Sequence, residues 1–140
     1  MSDDCIFCRI VAGDLPAAKV YEDEHTLAFM DINPIASGHV LVIPKAHHDP
    51  LMATPDAVLQ QLIVMVRRIA AAQVKGLGAC AVNVTQANGS LAGQEVPHIH
   101  FHVIPRREGD TPVRNWEPTS YRDADEMAAV ARTIGDAVEP

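Results

Sequence analysis

"HIHFHVIP", residues 98–105, places three of the chain's seven histidines at every second position. In an extended strand successive side chains point to opposite faces and the rise is about 3.3 Å per residue. His98, His100 and His102 then share one face, about 7 Å from neighbour to neighbour, and Ile99, Phe101 and Val103 share the other. The apolar set pins the register, because a slip of one residue buries the imidazoles and exposes Phe101. The stretch predicts a strand with one core face and a row of imidazoles turned toward a polar space. Such a row spans about 13 Å, too far to meet around one zinc ion with bonds of about 2 Å, so at most two neighbours can share a metal.

Outward from this strand, "AKVYE" (18–22), "HTLAFMD" (25–31) and "HVLVIP" (39–44) read as an antiparallel meander, separated by the acidic "DE" and the breakers of "NPIASG". Thr54 before Pro55 predicts an N-cap followed by a first-turn proline, and Val58, Leu59, Leu62, Ile63, Val66, Ile69 and Ala70 recur at helical spacing until Gly76 and Gly78. "ACAVNVT" (79–85) is a fourth strand with Cys80 in its core, and the histidine strand is the fifth. "DTPVRNWEPTS" (110–120) reads as a connector. Asp123 with Glu126 resembles a capping box, opening a last helix whose inner face is Met127, Val130, Ala131 and Ile134. Strands and helices are segregated, which predicts an α+β class: a five-stranded antiparallel sheet, one long helix and a short C-terminal helix. At 140 residues the chain is expected to form one domain, 1–140, with 110–140 as its variable part.

The formal net charge of −7 argues against a nucleic acid partner, whose affinity rests on many Lys and Arg. The N-terminus is acidic where an export signal is basic, and the apolar runs, such as "LIVMV" at 62–66, are short. The expectation is a cytoplasmic protein with no membrane span. Cys5 and Cys8 of "CIFC" have the separation of half a tetrahedral zinc site, which wants four ligands. No second cysteine pair exists, so histidines must complete the set, and by position these are His47 or His48 together with His98. In "NGSLAGQ", 88–94, Gly89 and Gly93 permit a backbone turn that approaches an anion closely. Asn88, Gly93 and Gln94 are the binding candidates of this loop, which lies directly before the histidines.

Together these features resemble the histidine-triad family, whose motif is three histidines alternating with apolar residues and followed by two more apolar ones. "HIHFHVI" matches it throughout, and the likeness runs from residue 5 to about 107, closest to a bacterial zinc-containing branch related to nucleotide-binding phosphoramidases. The resemblance implies a homodimer in which two five-stranded sheets join, each subunit binding a purine nucleoside monophosphate or conjugate. It implies His100 as nucleophile, His102 and His39 as phosphate contacts, Asp31 at the ribose, and Ile6, Phe7 and Ile32 around the base. It also implies a structural zinc held by Cys5, Cys8, His47 and His98, choosing His47 over His48.

Two positions depart from the family. Glu95 stands where related enzymes carry Ser or Thr, and Ala87 stands where a phosphate-contacting Asn or Gln is found. The expected activity is hydrolysis at the α-phosphate of nucleoside phosphoramidates or similar conjugates through a nucleotidyl-histidine. The alternatives are a dinucleoside polyphosphate hydrolase and a zinc-stabilised nucleotide-binding module with little turnover.

Overall fold

The computed structural model describes residues 4–110 and 117–140, so most of the expected connector, Trp116 included, lies outside the described residues. Its elements are α1 (Ile6–Ala12), β1 (Lys19–Glu22), β2 (Thr26–Met30), β3 (Val40–Pro44), α2 (Asp56–Leu77), β4 (Ala81–Thr85), β5 (Phe101–Arg106) and α3 (Ala124–Asp136). The five strands form one antiparallel sheet in the order β1-β2-β3-β5-β4. The α+β class and the meander are as expected.

β2 and β3 are buried along their whole length because both faces of the sheet are covered. Ala28, Met30, Val40, Val42, Ile99 and Val103 meet Leu62, Met65, Val66, Ile69 and Ala72 of α2 and Ala131 and Ile134 of α3. Leu27, Phe29, Leu41 and Ile43 point the other way and meet Cys5, Phe7, Cys8 and Ile10 of the N-terminal segment. Each large aliphatic side chain so buried is worth about 1.5–3 kcal/mol. The histidine face is therefore not an open polar space. α1 lies over it, leaving His98 fully buried and His100 nearly so.

Several expected boundaries shift for identifiable reasons. β5 begins at Phe101 rather than at His98, because Pro44 on the neighbouring strand has no N–H to donate and its carbonyl accepts from the His98 side chain at 2.9 Å. Thr54 is not the cap of α2: Pro55 holds that position, and the Thr54 hydroxyl instead donates to the Pro50 carbonyl at 2.9 Å. Ile63 is 53% exposed, since Leu62, Met65, Val66 and Ile69 define the buried stripe and Ile63 falls a step outside it. Gly76 does not end α2, which runs on to Leu77 and closes at Gly78 with φ of 69°. Cys80 is exposed and precedes the edge strand β4. α2 is long and apolar enough to cross a membrane by length and composition, yet it serves as the core helix over the sheet. Asp123 caps α3 as expected, accepting from the Glu126 N–H at 2.8 Å.

Candidate active site and metal centre

Two clusters lie along the α1 face of the sheet. In the first, Cys5 Sγ stands 3.4 Å from His98 Nδ1, and Cys8 Sγ stands 3.3 Å from His47 Nδ1 and 3.6 Å from His98 Nδ1. All four donor atoms lie within 4.8 Å of one another. A tetrahedral zinc with Zn–S of about 2.3 Å and Zn–N of about 2.0 Å has S···N edges of about 3.6 Å. The protonation fits as well: His98 Nε2–H donates to the Pro44 carbonyl, which leaves the Nδ1 lone pair facing the sulfurs. These four residues fit the ion. His48 is not among them; its carbonyl accepts the Ile99 N–H at 2.8 Å and anchors the start of the histidine strand.

The second cluster is built on His100, His102 and His39. His100 Nδ1 lies 2.7 Å from the His98 carbonyl, and as an oxygen can only accept, the proton sits on Nδ1 and the lone pair on Nε2. The Ile35 N–H donates to His39 Nδ1 at 3.0 Å, so His39 carries its proton on Nε2. That nitrogen is 2.9 Å from His102 Nδ1 and 3.5 Å from Asp31 Oδ2. His102 accepts at Nδ1 and keeps its own proton on Nε2. The set Asp31, His39 and His102 has the spacing of a metal triad, but a metal there would require His39 to lose the Nε2 proton while Nδ1 still accepts from Ile35. An imidazolate is too costly, and the cluster is a chain of hydrogen-bond donors.

Burial, then the charge of neighbouring imidazoles, lowers the His39 pKa to about 3 and the His102 pKa to about 4. Both are neutral at pH 7, so the 3.5 Å approach of His39 Nε2 to Asp31 is not an ion pair, and the Nε2 proton is directed to His102. Burial is also the main cause that raises the Asp31 pKa, and the Glu95 carboxylate adds to the rise. The Asp31 carboxylate accepts the Asn33 N–H at 2.8 Å, which shapes the loop that bears Ile32.

Around these clusters the expected residues fall into three groups. Ile6 and Ile32 are exposed, 45% and 70%. Phe7 is buried, its ring centroid 5.1 Å from that of His100 and 5.8 Å from that of His98 in edge-to-face contact, and it forms a wall behind the imidazoles. Asn88 and Gln94 are engaged inside the protein. Asn88 accepts the Leu51 N–H, and Gln94 accepts the Gly89 N–H and donates to Asp49 and the Val96 carbonyl. Gly93 adopts φ of 95° at the end of a short 3-10 turn. The N–H groups of Gly89, Ala92, Gly93 and Gln94 all donate within the loop. These four N–H groups are thus engaged in bracing the loop itself.

The residues after 116 carry a contact that the motif reading missed. Tyr121 accepts the Gly38 N–H at 2.8 Å, and Thr119 donates to the Pro34 carbonyl through both its N–H and its hydroxyl. This strap fixes the 32–38 loop that leads into His39. Gln73, fully buried on α2, braces the same loop from beneath by donating to the carbonyls of Gly38 and Val103. The sequence signal for Gln73 is a lone polar residue on the apolar face of a helix.

A five-stranded antiparallel sheet with alternating histidines beneath an N-terminal Cys/His cluster defines a histidine-triad protein. The chain matches the model of the HIT domain over residues 12–109, and it belongs to that family. It is 47% identical over 123 residues to an uncharacterised HIT-like protein of Methanocaldococcus jannaschii, covering 88% of this chain and 95% of that one. It is 36% identical over 130 residues to the adenosine 5′-monophosphoramidase of Saccharomyces cerevisiae, covering 93% and 80%. Among solved structures it is similar to a zinc-bound histidine triad family protein of Mycobacterium smegmatis, with a TM-score of 0.85 and 39% identity over 96% of this chain and 92% of that one.

Proposed function

We propose that the chain acts as one domain that hydrolyses nucleoside phosphoramidates at the α-phosphate, with His100 as nucleophile. The observation that carries this reading is the 2.7 Å contact from His100 Nδ1 to the His98 carbonyl, which leaves the lone pair on Nε2. Nε2 attacks the α-phosphorus, the P–N bond breaks, and its electron pair leaves on the amine nitrogen, which takes up a proton from the solvent side. Water then adds to phosphorus, loses a proton to the bulk and releases the imidazole, giving the nucleoside monophosphate. His102, neutral and protonated on Nε2, donates to a phosphoryl oxygen, and His39 holds His102 in that tautomer. Preorganised donors of this kind supply the largest share of transition-state stabilisation. Asp31 takes the ribose hydroxyls, while Ile6 and Ile32 cover a purine with Phe7 as the wall behind. The similarity to a yeast adenosine 5′-monophosphoramidase supports this substrate class.

Cys5, Cys8, His47 and His98 would hold a zinc ion, which when bound is a structural cross-link between the N-terminal segment and the sheet. The chain would work as a cytoplasmic homodimer, paired through the outer face of α2 and the edge strand β4, where Ile63, Val74 and Val84 stand 53%, 50% and 45% exposed. Incubation of the purified protein with adenosine 5′-phosphoramidate should yield AMP and ammonia, and trapping under alkaline denaturing conditions, in which a nucleotidyl-histidine P–N bond survives, should place an adenylyl group on His100. No AMP release under these conditions would overturn the reading.

A further inference from the structure

We propose that Gln73 of α2 is a positioning residue of the histidine site: its side-chain amide takes the place of a backbone rung that Pro105 cannot make, and so holds His39 against His102. The inference rests on the phosphoramidase reading and adds what keeps the phosphate-facing pair in its working geometry.

The sheet supplies the reason. Across β3 and β5, Val40 faces Val103 and Leu41 faces His102. The His39 carbonyl accepts from Asp31 on the β2 side, so by alternation the N–H and carbonyl of Gly38 and Val40 point toward β5. The next rung therefore falls between Gly38 and Pro105. The two are adjacent, since a Cβ at Gly38 would stand 3.1 Å from Pro105 Cγ. Proline has no N–H to give. The Gly38 carbonyl, directly before His39, thus lacks its ladder donor.

Gln73 fills the gap. Its Nε2 lies 2.9 Å from the Gly38 carbonyl oxygen and 2.9 Å from that of Val103, and with an oxygen at both places the NH2 end of the amide must face them. One group bridges the residue before His39 and the residue after His102, whose rings meet at 2.9 Å between Nε2 and Nδ1. The N–H of Gly38 is also taken by a side chain, the Tyr121 hydroxyl. Gln73 is fully buried, and its Oε1 has no hydrogen-bond partner among the described residues. A buried amide with an unsatisfied oxygen is a poor filler for a core, and an apolar side chain of similar length would avoid that cost. The two N–H groups are what the position uses.

The test begins with Gln73→Met, which removes both donors and keeps the length of the side chain. Long-range 1H–15N spectra of the histidine rings should show His102 protonated on Nε2 alone in the unmodified protein and in both tautomers in the variant. With adenosine 5′-phosphoramidate, kcat should fall about tenfold, less than the roughly hundredfold loss of a direct misplacement of about 1 Å, while KM stays within about twofold. Adding Pro105→Ala restores an N–H opposite Gly38 and should recover most of the lost kcat. An unchanged His102 tautomer in Gln73→Met, or no recovery in the double variant, would overturn the proposal. If Gln73→Met does not fold, the unmodified protein decides: scalar couplings across the hydrogen bonds should link Gln73 Nε2 to the carbonyl carbons of Gly38 and Val103, and their absence would overturn the substitute rung. The tautomer and coupling measurements need no substrate, so a protein that leaves adenosine 5′-phosphoramidate intact refutes the phosphoramidase reading and not the hold of Gln73 on His102.

Discussion

Replacing His100 with asparagine removes the one triad nitrogen whose lone pair is neither turned into the Cys/His cluster nor taken by a neighbouring imidazole. Hydrolysis of adenosine phosphoramidate by His100→Asn should fall about a thousandfold or more, whereas AMP binding, measured by calorimetry, should change by less than about tenfold because Asp31, Ile6 and Ile32 remain. Near-full activity in the folded variant would rule out covalent catalysis by this residue. A second consequence follows from the low pKa values of His39, about 3, and His102, about 4. In the unfolded chain both return to about 6.5. Between pH 6.5 and 4 the unfolded chain therefore holds more protons, so the stabilising contribution is complete above pH 6.5 and is lost as the pH falls. Neither ring is protonated in the folded chain between pH 7 and pH 5, and about 4 kcal/mol should disappear over that span, read from urea midpoints. The spacing of the histidines made the row legible from sequence. Their tautomers were not legible, since these are set by the carbonyls of Pro44 and His98 and the N–H of Ile35.

At the scale of elements, the strands, α2 and α3 were readable because each combines a long apolar pattern with a terminator. α1 was not. Seven residues are too few to show a helical period, and its cap is Cys5, whose sulfur accepts the Cys8 N–H at 3.4 Å. A thiol at that position signals a metal before it signals a helix. The strap from Thr119 and Tyr121 to the 32–38 loop was equally hidden, since its partners lie 85 and 83 residues apart. Packing between elements is tightest where α3 crosses β1. A Cβ at Gly135 of α3 would collide with the Val20 carbonyl of β1, and both partners are backbone. Gly135→Ala should cost about 1–3 kcal/mol, the usual penalty of overpacking. The denaturation midpoint should drop with an unchanged m-value; an unaltered midpoint would show that α3 can ride away from the sheet at little cost.

The molecule as a whole ends its sheet on β4, whose Val84 is exposed, and turns Ile63 and Val74 of α2 outward. A monomer would leave these residues in water. Light scattering at micromolar concentration should give twice the chain mass of 15.1 kDa, and Val84→Lys with Ile63→Glu should shift it toward the single-chain value; a wild-type monomer would refute the assigned interface. The architecture also joins its two centres through one residue. His98 turns its side chain to the cysteines while its carbonyl holds the proton of His100. Any free energy passed from the metal set to the nucleophile along this path must also pass back, because equilibrium coupling between two ligands is symmetric. If zinc tightens AMP binding by some factor, AMP tightens zinc binding by the same factor. Saturating AMP should then slow the loss of zinc to a chelator, and the same rate with and without AMP would mean that the two centres share a residue without sharing energy.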